Sequence, residues 1–381
     1  MDEHFTYHSK LLKRMKCKLT TITPCHIGSG NTLNRNVDFV SDGEFLGVID
    51  PRKIFDIVGE SGIAGWCSVI DSQGDIMQYL RGVCPDVKIQ DISSRLLEIQ
   101  VGNSKVTGLR EQISTLGTPY IPGSSIKGAI VSAILAANAD RINIPSNVKQ
   151  QNGVVDKVFS AREEGRNGRE QFDPKTSVLR FLRVGDALFD DVPTIAVYCN
   201  SLNIRESKAN LKVEKGHQYV EAIYTDTAAE FDIDIKIEYL KRVHSHQTPL
   251  GTVPTAMGSL SDLLQCINAH TISLLKRELE AWEDYDYPEL DDYLQQIEEL
   301  IDECKACRDG RSAIMRLGYG SGWDFITGGW SKLSATDAEW DRIVDKARPN
   351  NKSYQEYMFP KTRRTFDSYL PLGFVRIDMA E

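Results

Sequence analysis

Long apolar runs are missing from this sequence. None approaches the ~18 consecutive apolar residues that a membrane-spanning helix requires, so no membrane partner is expected. The opening Met1-Asp-Glu-His-Phe is acidic and polar. It lacks the basic and apolar segments of a secretory signal, which predicts a cytoplasmic location. The eight cysteines, Cys17, Cys25, Cys67, Cys84, Cys199, Cys266, Cys304 and Cys307, are scattered and read as reduced thiols. Cys304 and Cys307 have zinc-like spacing, but no second Cys/His pair stands at a usable distance, and a buried pair on a helix fits as well. His244 and His246 share one face of an extended stretch with nothing beside them to complete a site. Asp38, Asp42 and Asp50 are irregularly spaced, as turn and cap residues are. A nucleotide P-loop is also missing. In Gly123-Ser-Ser-Ile-Lys-Gly128 lysine precedes glycine, and no Ser or Thr follows. No metal site is expected.

Basic residues are absent from one long segment. Residues 278–303 hold twelve carboxylates and no Lys or Arg, which alone turns a net charge of +3 for the remainder into −9 for the chain. The acidic segment reads as a solvated helix face, with docking of a basic partner as the alternative. Elsewhere cations cluster at Lys10, Lys13, Arg14, Lys16 and Lys18, at Lys241 and Arg242, and at Lys361, Arg363 and Arg364. A local basic track suits phosphate binding whatever the overall charge.

The stretch from Gly117 to Ala136 organises the chain. Pro119, Pro122 and Gly123 make a turn, Ser124 stands where a helix N-cap is expected, and Ile126, Ala129, Ile130, Ala133 and Ile134 recur with helical period. A helix start with Ser124, Ser125 and Lys127 around it suits an anion; Pro-Gly-Ser also opens many helices that bind nothing. A first strand is predicted at 16–23, a hairpin at 37–49, and a helix capped by Asp50 with Pro51 at its first position. Residues 31–116 read as an insertion and 143–173 as a mobile polar loop. Further strands are predicted at 96–101, 178–184 and 195–200, a hairpin at 220–237, helices at 259–282 and 290–306, and a closing strand near 369–377. Strand, helix and paired strands thus occur twice. This predicts an α+β protein of two ferredoxin-like (RRM-like) sandwiches with insertions, over residues 1–190 and 191–381.

Three glycine-bearing segments stand in one order: Thr23-Pro-Cys-His-Ile-Gly-Ser-Gly30, the 120–129 turn and helix start, and Arg316-Leu-Gly-Tyr-Gly-Ser-Gly-Trp323. Lys361-Thr-Arg-Arg364 and Pro371-Leu-Gly-Phe-Val375 follow. As an ordered set they resemble the RAMP superfamily of CRISPR-associated proteins, and within it the fifth-subunit Csm family of type III-A effector complexes. The resemblance spans nearly the whole chain. It implies RRM-like domains, no cofactor, and a non-catalytic RNA-binding subunit that caps the backbone filament. Such a subunit holds the 3′ region of the CRISPR RNA and assists 3′ maturation in antiviral defence. The implied partners are CRISPR RNA and other Csm subunits, namely the backbone RAMP subunit and the small subunit, with host nucleases recruited. By resemblance the RNA-contacting positions are His26, Gly28, Ser29 and Gly30; Gly123, Ser124, Ser125 and Lys127; and Gly318, Gly320 and Gly322. Arg316, Lys361, Arg363 and Arg364 add cations for phosphate. Relatives often carry a basic residue shortly after Lys-Gly-Ala, where this chain has Ile130-Val131. Glycine loops suit an RNA backbone because the main chain approaches a phosphate closely and donates N–H without reading bases. Trp323 is read either as a base-stacking ring or as core. The competing readings are a metal-independent endoribonuclease using His26, a backbone or 5′-handle subunit, and a phosphate-binding metabolic enzyme.

Overall fold

The computed structural model describes residues 15–100, 107–142, 158–164, 170–204, 211–236, 251–283, 287–307, 309–347, 359–360, 362–366 and 369–380. Lys361, His244 and His246, the basic cluster at Lys10–Arg14 and much of 143–173 lie outside them.

The strand Met15–Thr21 is central. Cys17, Leu19 and Thr21 are buried on one face while Lys16 and Lys18 point out, the alternation of a half-covered strand. It pairs antiparallel with Ala228–Ile235 on one side and with Phe374–Met379 on the other. Leu182–Val184 and Ser312–Arg316 complete a five-stranded sheet, in the order Leu182–Val184, Ala228–Ile235, Met15–Thr21, Phe374–Met379, Ser312–Arg316. The boundary expected near residue 190 is therefore not followed by this sheet, which draws strands from both halves. A second sheet of nine strands includes Gly28–Asn34, Gly108–Gln112, Leu211–Ile223 and Thr194–Ile204, with Thr362–Phe366 also paired to Thr194–Ile204. The hairpin predicted over 220–237 is not formed. Leu211–Ile223 belongs to the nine-stranded sheet and Ala228–Ile235 to the five-stranded one, because Tyr224–Thr227 carries the chain between sheets.

Helices α1 (Pro51–Asp71) and α2 (Ile76–Val83) lie within residues 31–116, capped by Asp50 and Asp75. Ile54, Val58, Ile76 and Leu80 pack there with Val40 and Ile49. Helices α3 (Gly123–Ala136) and α4 (Leu260–Trp282) contribute Ile126, Ile130, Leu263 and Ile267 to the main core, against Leu19, Phe231, Met315 and Ile377 of the five-stranded sheet. Helix α5 (Asp291–Ala306) buries Tyr293, Ile297, Leu300 and Cys304 and leaves Asp291, Asp292, Glu298, Glu299, Asp302 and Glu303 exposed, a solvated acidic face. The edge strand Ser312–Arg316 is buried throughout. The outward main-chain groups of Ile314 are satisfied by α4: Thr271 Oγ1 donates to Ile314 O at 2.7 Å, and Ile314 N donates to Asn268 Oδ1 at 3.3 Å.

Helix α3 begins two residues earlier than the sequence suggests. Pro122 occupies the N-cap and Gly123 the first turn, so Ser124 is not the cap. The Gly123 amide donates to Asp186 Oδ1 at 2.7 Å, which puts a carboxylate of the chain itself at the helix start. A Cβ on Gly123 would lie 2.3 Å from Val184 O. Lys127 Nζ donates to Leu179 O at 2.9 Å and Leu182 O at 2.7 Å, with burial and the nearby Arg183 lowering its pKa. Glycine, Lys127 and Asp186 thus lock α3 onto residues 179–186.

The two sheets meet at Pro24–Ile27. Cys25 exchanges main-chain hydrogen bonds with Ile223 at 3.1 and 2.9 Å. His26 Nδ1 lies 2.6 Å from Glu221 O, and because a carbonyl only accepts, that nitrogen carries the proton. The ring is 2% exposed, and burial pushes its pKa down to about 4 against the smaller pull of that bond.

Two predictions come from this packing. Gly123→Ala should cost about 1–3 kcal/mol of stability in urea melts, since the added methyl has main chain in its way. An unchanged midpoint would show that residues 179–186 yield instead. For His26, protonation favours the unfolded chain once pH falls below about 6.5. Stability should fall toward pH 4.5 by up to about 1.4 kcal/mol per pH unit more than in His26→Gln. Parallel pH profiles for the two proteins would contradict this.

Candidate nucleic-acid interface

The loop from Arg316 to Trp323 follows the edge strand of the five-stranded sheet. Gly318, Gly320 and Gly322 have φ of 69°, 98° and 69°. A side chain at any of them would be strained, so the alternating glycines are required by the path of the loop. At Gly318 there is a second requirement: a Cβ would sit 2.2 Å from His26 O. Three main-chain bonds fasten the loop. Leu317 N donates to Gly373 O at 2.7 Å, Tyr319 N to His26 O at 2.9 Å, and Gly373 N to Pro24 O at 3.0 Å. The first glycine loop, the third glycine loop and the Pro371–Val375 ending are thereby one structure.

Tyr319 stands at its centre. The Arg364 guanidinium lies 4.4 Å from the ring centroid and that of Arg110 5.2 Å. His26 meets the ring edge-on at 5.8 Å. Both arginines are exposed. They come from separate strands of the nine-stranded sheet, Arg110 from Gly108–Gln112 and Arg364 from Thr362–Phe366. Beside them Gly28, Ser29 and Gly30 are exposed. Gly30 has φ of 96° and open space where a side chain would be. The Ser29 hydroxyl is turned to Glu111 at 3.1 Å. Behind this loop Arg95 pairs with Glu221 at 2.8 Å, and Ile27 N donates to Gln112 Oε1 at 2.9 Å, fixing its base.

A cleft of about 530 Å³ runs behind Tyr319, lined by the glycine loop, Trp323, Thr362 and the three arginines 316, 363 and 364. The arginines differ in their surroundings. Arg316 is buried, donates from Nε to Leu372 O at 2.8 Å, and lies against the rings of Phe374 and Phe325, 4.9 and 5.3 Å from their centroids. Burial lowers its pKa. Arg363 forms a two-point ion pair with Glu278, Nε to Oε1 at 2.6 Å and Nη2 to Oε2 at 2.8 Å. Trp282 Nε1 and Tyr293 Oη also donate to Glu278, at 2.8 and 2.7 Å. Burial would raise the Glu278 pKa, but Arg363 and these donors outweigh it and hold it at about 2. Glu278, first of the acidic run, therefore faces the interior. Of the cleft arginines, Arg364 is the one that reaches solvent.

The start of α3 joins this region through hydrogen-bonded neighbours: Ile113 N donates to Ile27 O at 2.8 Å, and Tyr120 N to Ile113 O at 3.3 Å. Ser124 and Gly128 are exposed on α3, Ser125 is half-buried, and Ser132 Oγ, on the same stripe, donates to Ile326 O at 2.6 Å beyond the third glycine loop. Gly123 is buried and Lys127 turns inward onto carbonyls. Sequence reasoning missed Arg110. It stands alone in a weakly patterned stretch, and only the sheet brings it to Tyr319. His26 is neutral and enclosed, a poor proton-transfer group. Among the described residues no three His, Cys, Asp or Glu side chains converge as a metal site would require, and no helix is long and apolar enough to cross a membrane.

Comparison with known proteins adds to the geometry. The Csm5 protein of the CRISPR system of Methanocaldococcus jannaschii is 28% identical over 246 residues, 61% of this chain and 55% of that protein, so the match spans just over half of the relative's length. A chain in the cryo-EM structure of a type III-A Csm–crRNA–target RNA ternary complex superposes with a TM-score of 0.70 at 20% identity, over 96% of this chain and all of the other. The crystal structure of T. onnurineus Csm5 gives 0.64 at 18% identity, covering 94% and 99%. These two share the fold. The family model of the RAMP superfamily matches residues 18–325, and the chain belongs to that superfamily.

Proposed function

We propose that this chain is a Csm5-like, non-catalytic, RNA-binding subunit of a type III-A Csm complex. It holds the 3′ region of the CRISPR RNA, ends the filament of backbone subunits and assists 3′ maturation, with other Csm subunits as neighbours and host nucleases as visitors. The five-stranded sheet with α3 and α4 serves as a ferredoxin-like unit. One observation carries the reading: two exposed guanidiniums flank Tyr319 beside glycine loops whose main chain is open to solvent. Cations in that setting bind phosphates without reading sequence. The likeness to Csm5 and to a chain of a Csm–crRNA complex is in keeping with it.

The residues divide by role. Arg110, Arg364, Gly28, Gly30 and Gly322 face the RNA. Gly123, Lys127, Arg316 and Arg363 build the surface from beneath, since they are buried or turned inward onto the chain. His26 orients Tyr319 and does no acid–base work.

Arg110→Ala and Arg364→Ala should each weaken binding to single-stranded RNAs of unrelated sequence alike and reduce the slope of log K against log salt by about 0.7. Lys127→Met should lower stability and leave that slope unchanged. A defect confined to one RNA sequence, or a slope change from Lys127→Met alone, would count against the assignment.

A further inference from the structure

The first glycine loop carries a carboxylate where RNA binding calls for none. Gly28 pairs with Gln112 and Thr32 with Arg110, so Ser29, Gly30 and Asn31 all stand opposite the single residue Glu111. Such a bulge bends a strand and re-aims its side chains. Here both polar side chains are turned onto Glu111. Ser29 Oγ donates to its Oε2 at 3.1 Å, and Asn31 Nδ2 donates to the same oxygen at 3.0 Å. Arg95 Nη2 donates to Oε1 at 3.2 Å. Burial would raise the Glu111 pKa, but the bonds from Asn31, Ser29 and Arg95 outweigh it, so the carboxylate is charged at neutral pH.

The donor set is that of an anion site. A hydroxyl, a carboxamide and a guanidinium converge on one oxyanion, and the loop that presents two of them is exposed. A phosphate takes the same kinds of donor. The Ser29 hydroxyl has one proton, and Glu111 receives it; the hydroxyl oxygen in turn accepts from the Asn31 amide at 3.1 Å. Arg95 does not depend on Glu111, because its Nε and Nη2 form a two-point pair with the buried Glu221 at 2.8 and 2.9 Å. Glu111 can therefore lose its charge without stranding a partly buried cation. Arg110, the preceding residue, turns to the other side of the strand and lies over Tyr319. The chain thus sets a negative charge directly beside a cation that it offers to RNA.

We propose that Glu111 is a built-in competitor of the RNA phosphate at the first glycine loop, an inference that rests on the RNA-binding reading above. In the free chain it occupies the Ser29 hydroxyl and the Asn31 carboxamide. A phosphate reaching this loop meets a like charge and must take those two donors from it. The strand is held through Arg110 and Arg364, at a lower affinity than the same loop would give with a neutral residue at position 111.

The test is a titration of the full chain with a labelled single-stranded RNA at low salt. Glu111→Gln keeps the shape and removes the charge, so it should bind about 3- to 10-fold more tightly than wild type, with the gain shrinking as salt rises. Adding Ser29→Ala to Glu111→Gln should give back about 2- to 10-fold, because the hydroxyl that the phosphate took over is gone. Glu111→Ala removes the acceptor as well and should gain at least as much as Glu111→Gln. Should either variant fail to fold by circular dichroism, the other decides; loss of fold in both shows that Glu111 is there to hold the loop, and overturns the proposal. A gain that Ser29→Ala leaves whole comes from charge at a distance and also overturns it. Equal or weaker binding by the folded variants, with Arg110→Ala still defective, overturns the competitor and leaves the RNA-binding reading standing. No RNA binding by any of these proteins overturns both.

Discussion

One carbonyl, that of His26, governs how the distant parts of this chain meet. It accepts the Tyr319 amide at 2.9 Å, and Gly318 lies so close to it that a methyl group would not fit. His26 itself is held by Glu221, within a long strand of the nine-stranded sheet. The third glycine loop leaves the five-stranded sheet at Arg316. The contact therefore joins the two sheets at the point where the surface carries the exposed Arg110 and Arg364. Tyr319 is aimed by its own main chain, and the two guanidiniums then have a ring to lie against.

The cations sort by burial. Arg363 and Arg316 sit in low dielectric, where an unpaired charge would be expensive, and each has found a carboxylate, a carbonyl or aromatic faces. Lys127 is half-buried and spends two donors on carbonyls. Arg110 and Arg364 are exposed, and their charge reaches a ligand at little desolvation cost. A basic cluster in sequence is thus split by the fold into structural and available members, and adjacent residues 363 and 364 fall on opposite sides of that division because side chains alternate along a strand.

Much of the architecture was legible from local pattern. The alternation at 16–21, the Asp50 cap with Pro51, and the helical periods of α3, α4 and α5 all describe elements that form. The pairing of strands was less legible. Nothing within 220–237 says that its two halves enter different sheets, because that depends on partners at 15–21 and 194–204. The glycine loops were found, since positive φ leaves a compositional mark, but the reason for Gly123 was not. Its close approach is to residues 184–185, some sixty positions away. Arg110 carried no signal, for a single arginine in a polar stretch acquires meaning only from what faces it.

The central claim is that RNA runs over the surface around Tyr319. Ultraviolet cross-linking of the full chain to single-stranded RNA, with peptides identified by mass spectrometry, tests it most directly. Cross-links should concentrate in peptides bearing residues 28–30, 110 and 319–323. Cross-links confined to helices α1 and α2 or to the acidic face of α5, with none at Tyr319, would contradict the account.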